Sequence, residues 1–253
     1  MPDTKPFEGR TALVTGASRG IGAATAVALA EAGAHVILVA RKVKALEEVE
    51  DRIHAAGGTS TIAPVDLTEQ DAIPRLASAI AGRWQTLDIL VLSAAYLPEL
   101  TPLAQIEPKQ FNQAIMTNVV ATQALLAAFD PMLRRAEAGR IIGLTSSVGA
   151  SPRSFWSAYG STKAAFDNLL ESYAAEVEKL SPLRVAILDP GATRTEMRAR
   201  AYPGEKPESV KPPEVVADRI VALLQVKSTR VRPTSDGSGD DDGSASDASS
   251  SQA

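Results

Sequence analysis

The sequence contains no cysteine. Disulfides, zinc-thiolate centres and cysteine nucleophiles are therefore excluded. It has two histidines, His35 and His54. Neither has acidic neighbours at a ligand-like spacing, so no metal site is expected. Aromatic residues make up 4% of the chain, so an adjacent pair of them is conspicuous. No charge sign dominates. The net charge is −4 over 253 residues, which gives no footprint for nucleic acid or an anionic membrane as partner. Long apolar runs are also lacking. Met1 to Arg10 has no apolar stretch of the secretory kind. The most apolar region, Ile21 to Ala40, carries Glu31 and His35 and is interrupted by Gly33. It reads as helix, turn and strand rather than a membrane span. The expected location is the cytoplasm.

The length suits one large domain or two small ones. Short β-branched runs alternate with longer Ala-rich stretches. The expected strands are Arg10 to Thr15, His35 to Ala40, Ser60 to Val65, Leu87 to Leu92, Arg140 to Thr145 and Leu183 to Leu188. The expected helices are Arg19 to Ala32, Lys42 to Ala56, Glu69 to Gly82, Pro108 to about Ala136, Trp156 to Leu180, and Pro213 to about Gln225. Near-continuous apolar strands between helices predict an α/β fold, a doubly wound parallel sheet covered by helices on both faces. Its ligands would bind at the carboxyl ends of the strands. The reading gives an N-terminal extension over 1–8, one domain over 9–232 and a disordered acidic tail over 233–253. That tail is rich in Ser, Gly and Asp and cannot bury enough surface to offset its ordering entropy.

Directly after the first strand comes Thr15-Gly16-Ala17-Ser18-Arg19-Gly20-Ile21-Gly22. Glycines let the backbone approach a pyrophosphate, and a helix start supplies amide donors. The spacing is G-x-x-x-G-x-G, and its place after the first strand predicts a dinucleotide site. About 20 residues on, an acid would bind a ribose 2′-hydroxyl. Here Ala40 is followed by Arg41 and Lys42. With no carboxylate there, Arg41 can meet a 2′-phosphate, helped by Arg19. NADP(H) is expected rather than NAD(H).

The pattern Y-x-x-x-K occurs twice, at Tyr159…Lys163 and Tyr202…Lys206. Positions i and i+4 share a helix face, so the two groups can converge on one ligand. The first match opens a long helical pattern. The second encloses Pro203 and Gly204, which break a helix, and is expected to lie in a loop.

With these features in place, the chain resembles the short-chain dehydrogenase/reductase family over about Phe7 to Leu224. The glycine loop TGASRGIG, Asp66 after the third strand, Asn118, Ser146, Tyr159, Lys163 and the Asp189-Pro190-Gly191 turn fall in that family's order. Ser146 stands thirteen residues before Tyr159, the family spacing. The resemblance implies a Rossmann-like fold and an enzyme passing hydride between NADP(H) and a carbonyl or alcohol. Tyr159 would give its proton to the carbonyl oxygen in reduction. A free tyrosine has a pKa near ~10, and the resemblance has Lys163 and the oxidised nicotinamide lower it. Lys163 would also hold the nicotinamide ribose, Ser146 the substrate oxygen, and Asn118 a water of a proton relay. Asp66 would touch the adenine, with Leu67 and Ala94 also in the cofactor site, and Pro190, Gly191 and Thr193 would flank the nicotinamide. A homodimer is implied, with a tetramer as the alternative.

Two regions depart from the family pattern. Leu92-Ser93-Ala94-Ala95 replaces the usual N-N-A-G. Thr229 to Pro233 is a poor last strand. The segment Thr193 to Lys211 resembles the family's substrate lid, whose order depends on a ligand. Tyr96, Leu97, Phe155 and Trp156 suggest an apolar or aromatic ketone pocket, or else Phe155 and Trp156 pack at a subunit interface. A 3-oxoacyl carrier-protein reductase is the alternative reading, with Arg134, Arg135 and Arg153 as its basic patch. A non-enzymatic NADP(H)-binding regulator is the alternative of another class.

Overall fold

The computed structural model describes residues 5–226. The tail and the poor last strand, Thr229 to Pro233, lie outside them. Six strands form one parallel sheet: β1 (Thr11–Thr15), β2 (His35–Ala40), β3 (Thr59–Pro64), β4 (Ile89–Leu92), β5 (Arg140–Leu144) and β6 (Arg184–Leu188). Their order across the sheet is β3-β2-β1-β4-β5-β6. The strands are apolar for a reason: all five residues of β1 and all four of β4 are buried, because helices cover both faces. β3 is the least buried strand and ends on Pro64, which an edge strand tolerates.

On one face lie α1 (Gly20–Glu31), α2 (Val43–Ala55) and α9 (Pro213–Gln225). They enclose a core that includes Leu29, Leu46, Ile53 and Ile220. On the other face lie α3 (Ala72–Ala81), α5 (Ala121–Arg135) and α7 (Ser157–Val177). Their core includes Leu13, Leu125, Phe129, Phe166 and Leu170. Two apolar layers on opposite faces of one sheet make the fold doubly wound and Rossmann-like. The chain winds outward from β1 in one direction and from β4 in the other. The crevice between those two strands' carboxyl ends is where such sheets bind ligands.

Three local differences from the sequence reading have physical causes. The helix expected from Pro108 to Ala136 is three pieces: α4 (Pro108–Ile115), a π-helical turn (Met116–Val120) and α5. A π turn adds one residue to the helical turn without disturbing the apolar period on either side. The helix expected from Glu69 begins at Ala72, because Asp71 adopts a left-handed φ of 56° and breaks the run. A four-residue helix, α6 (Ser147–Ala150), follows β5.

Candidate active site

The glycine loop sits at the switch point. Gly16 has φ +66° and Gly20 φ +55°, conformations that side chains other than glycine's rarely adopt. A Cβ on Gly16 would stand 2.9 Å from the Ala94 backbone, and one on Gly22 would stand 2.3 Å from the Gly16 carbonyl. At these two positions the loop leaves no room for a side chain. The altered Leu92-Ser93-Ala94-Ala95 segment is braced by Thr15. Its hydroxyl accepts the N–H groups of Ser93 (3.1 Å) and Ala94 (3.2 Å) and donates to the Val91 carbonyl at 3.2 Å. Sequence reasoning missed Thr15; its place as the last residue of β1 was the available signal.

Two cations flank the loop. Arg41, just past β2, lies 3.9 Å from the Asp66 carboxylate beyond β3. Burial works to raise the Asp66 carboxyl, but two hydrogen bonds from Thr68 and the charge of Arg41 hold it below the usual range. Leu67 packs beside it, against the second core. Arg19, the residue before α1, pairs with Glu196. Ala17 N–H donates to Val39 O at 3.2 Å, tying the loop to β2, while Ser18 is half-buried and Ile21 packs on the first core.

At the end of β5 the chain turns through Ser146 into α6. α6 lies on the first turns of α7: a Cβ on Gly160 would stand 2.7 Å from Val148 O, and one on Gly149 3.1 Å from Lys163 Cβ. This contact carries the Ser146 end of β5 to the turn bearing Tyr159 and Lys163. Both are buried, at 6% and 3% exposure. Lys163 Nζ donates to the Leu144 carbonyl at 2.7 Å and lies 4.4 Å from the centre of the Phe166 ring. Tyr159 packs with Leu97 and Val148, and Leu100, Trp156, Met197 and Ala201 close around them. Burial pulls Lys163 down to about 8, opposed by Asp167 and Asp189. Burial pushes the Tyr159 hydroxyl up, with Asp189 and Asp167 adding to it. The lowering that the resemblance assigns to Lys163 and the bound nicotinamide would act against this burial and these two carboxylates.

Asn118 sits in the π turn and is 1% exposed. Its Oδ1 accepts Tyr96 N–H at 2.7 Å, and its Nδ2 donates to Tyr96 O (3.0 Å) and Thr162 Oγ1 (2.9 Å). Both amide hydrogens are thus committed to a clamp between the β4 loop and α7. After β6, Asp189 Oδ1 accepts Gly191 N–H at 2.9 Å. Gly191 has φ +63°. The Thr193 hydroxyl donates to Pro190 O (3.3 Å) and Gly191 O (3.1 Å), which folds Pro190 to Thr193 into one tight turn.

The segment from Thr193 to Lys211 is folded. α8 (Glu196–Ala201) is capped by Thr195, whose hydroxyl accepts Arg198 N–H at 3.1 Å. Arg198 pairs with Glu205 through two bonds, 2.7 and 2.6 Å, and Arg200 donates to Leu97 O at 3.3 Å. Tyr202 and Lys206 lie beyond α8 in a turn, outside any helix, so the second Y-x-x-x-K match has no shared helix face. Tyr202 instead packs on Trp156, with ring centres 5.9 Å apart. Trp156 therefore faces the site, while Phe155, at φ 70°, is 56% exposed. Arg134 and Arg135 lie far from the site. Arg134 pairs with Asp130 on α5, and Arg135 bonds Gln85 O before β4, at the amino-terminal end of the strands.

A cleft of about 870 Å³ adjoins this centre. Arg41, Tyr96, Leu97, Lys109 and Arg200 are among its lining. Among the described residues no group of histidines and carboxylates could hold a metal ion. No helix among them is long and apolar enough to cross a membrane.

The model of the short chain dehydrogenase family matches residues 10–206. The uncharacterized oxidoreductase YciK of Escherichia coli K12 is 35% identical over 233 residues, covering 91% of this chain and 92% of that one. A solved structure from Pseudomonas syringae, assigned to the short chain dehydrogenases, superimposes with a TM-score of 0.87 at 37% identity, covering 91% of this chain and 96% of the other. One from Shigella flexneri, complexed with NADP, gives 0.84 at 32%, covering 90% and 98%. A 3-oxoacyl (acyl-carrier-protein) reductase from Agrobacterium tumefaciens with NADP bound gives 0.78 at 30%, covering 90% and 93%. The chain belongs to the short chain dehydrogenase family and is an oxidoreductase.

Proposed function

We propose that this protein is an NADP(H)-dependent reductase of ketones, running also in reverse, with Tyr159 as proton donor. The observation that carries the reading is the burial of Tyr159 and Lys163 one helical turn apart beside the switch-point crevice. The residues fit the cofactor. Backbone fills the cradle at Gly16 and Gly22, Arg41 stands where a 2′-phosphate would lie, and no acid ends β2. The NADP-bound Shigella flexneri and Agrobacterium tumefaciens relatives support this choice over NAD(H). Gly16, Ser18, Arg19, Gly20, Ile21 and Gly22 would hold the phosphates, and Asp66, Leu67 and Ala94 the adenosine side. Pro190, Gly191 and Thr193 would flank the nicotinamide.

The bound cofactor supplies or receives the hydride. The chain's own residues handle the oxygen and its proton. Ser146 donates a hydrogen bond to the carbonyl oxygen and orients it. Tyr159 Oη gives its proton to that oxygen as negative charge develops there. Lys163 stabilises the resulting phenolate by its charge. Asn118 holds Tyr96 and Thr162, so it keeps the loop after β4 and the start of α7 in register.

The wall of Leu97, Leu100, Trp156, Met197 and Ala201 around Tyr159 suits an apolar substrate end. The adjoining cleft, lined by Arg41, Lys109 and Arg200 but also by Glu99 and Glu107, leaves room for a second reading in which the substrate's remote end is polar, as in a carrier-linked acyl chain. Turnover of NADPH against NADH over a panel of free and carrier-linked ketones tests both. Preference for NADPH with a free apolar ketone supports the first reading. Turnover of carrier-linked ketones alone supports the second. No turnover with any carbonyl, and a functional Tyr159→Phe protein, would leave a non-enzymatic cofactor-binding role.

A further inference from the structure

α7 carries a third polar residue on the face that holds Tyr159 and Lys163. Asp167 stands one turn beyond Lys163, as Tyr159 stands one turn before it. The Oδ1 atom of Asp167 is buried and accepts no hydrogen bond. The buried Thr145 hydroxyl stands beside that carboxyl without forming a hydrogen bond of full geometry. Thr145 directly follows Leu144, whose carbonyl receives Lys163 Nζ at 2.7 Å. The carboxylate therefore stands near the end of β5, within charge reach of the ammonium that the Leu144 carbonyl receives. A buried carboxylate oxygen without a donor is costly.

We propose that Asp167 is a positioning residue: its carboxylate keeps the Lys163 ammonium charged and seated against the Leu144 carbonyl, ready to stabilise Tyr159. The proposal rests on Tyr159 and Lys163 being the reacting pair. The titratable groups facing Lys163 are Tyr159 and Asp167 from α7 and Asp189 from the end of β6. β5 adds the Leu144 carbonyl, and the residue after it the Thr145 hydroxyl. Asp167 itself faces Lys163, Glu171 one turn further along α7, and Asp189. Asp189 already has a structural task, since its Oδ1 receives Gly191 N–H. Asp167 has none. Burial pulls Lys163 down, and the two carboxylates hold it up. Removing the Asp167 charge lets burial act further, so the ammonium is lost at a lower pH.

The test is Asp167→Asn in the full-length enzyme, a change that keeps the shape and removes the charge. kcat/KM with NADPH and a ketone is followed from about pH 6 to about pH 10, bracketing both reacting groups. The alkaline limb is expected to move down by about one pH unit. Activity at pH near 8 should then fall several-fold, while activity near pH 6 stays close to wild type. Asp167→Glu should return the limb toward its wild-type place. If the Asn protein does not fold, Asp167→Ser carries the same readout. A limb that superimposes on the wild type, or a loss equal at every pH, overturns the proposal. Failure of the underlying reading looks different: Tyr159→Phe would then keep its turnover.

Discussion

Burial acts on Tyr159 and Lys163 in opposite senses, because it disfavours whichever form carries charge. It pushes the phenol up and pulls the ammonium down to about 8. At neutral pH the tyrosine therefore keeps its proton and the lysine keeps its charge. That is the pairing a proton donor needs. Reduction should accordingly be steady through neutrality and fall as the pH rises through about 8, where Lys163 loses its charge. Oxidation, which needs the tyrosine to release its proton, should gain as the pH rises from neutrality. A pH profile of kcat/KM in both directions checks this, and a reduction rate that climbs through pH 8 would contradict it. Tyr159→Phe removes the donor and little else, since the ring keeps its contacts with Leu97 and Val148. Turnover should drop about a hundredfold to ten-thousandfold. NADPH binding, read by fluorescence, should survive within a few-fold.

The helices owe their positions to close contacts that single residues permit. α7 lies on β5 at Gly143, where a Cβ would stand 2.2 Å from Leu170 Cδ1 and 2.9 Å from Phe166 Cζ. Gly143→Ala should overpack this contact and cost about 1–3 kcal/mol in denaturant unfolding. Because α7 carries Tyr159 and Lys163, kcat should fall with the stability. A variant with wild-type stability and reduced kcat would mean that the strand tolerates the methyl and only the catalytic turn has shifted. The sheet and most helices were legible in the sequence for the same reason. Each buried strand is a continuous apolar run, and α1, α2 and α9 begin and end within a residue or so of their patterns. The π turn at Met116–Val120 was not legible. Its extra residue leaves the apolar spacing on both sides intact, so periodicity reads one helix through it. α6, four residues long, is too short to carry any period.

Across the whole molecule, the residues that could be read from the chain are those whose roles are local to a motif. The glycine loop, Tyr159 and Lys163 have recognisable spacings, and the fold brings them together because their elements end on the same side of the sheet. Thr15 with Ser93, Asn118 with Tyr96, and Arg19 with Glu196 were not legible as pairs, since each joins segments distant along the chain. His35 is of this second kind. It read as one histidine among two, without a role. In the fold its Nδ1 pairs with Thr59 Oγ1 and its Nε2 with Thr61 Oγ1, both at 2.9 Å, while its ring stacks on Trp84 at 5.3 Å. It thus joins β2, β3 and the segment after α3 at the end of the sheet away from the site. Burial first, and Arg83 second, hold it below its ordinary 6.5. Between its folded value and 6.5 the unfolded chain binds the proton more readily, so unfolding free energy rises with pH. The contribution is complete above about 6.5 and is lost as the pH falls below it. Asp66 and Glu205, both held low in the fold, add losses of the same sign at more acid pH. Urea unfolding at pH about 7.5 and about 5.5 should therefore show the protein weaker at the lower value. His35→Gln keeps a hydrogen-bonding group and removes the titration, so its two curves should lie closer together than those of the wild type. Equal spacing in the two proteins would place the acid sensitivity elsewhere than in His35.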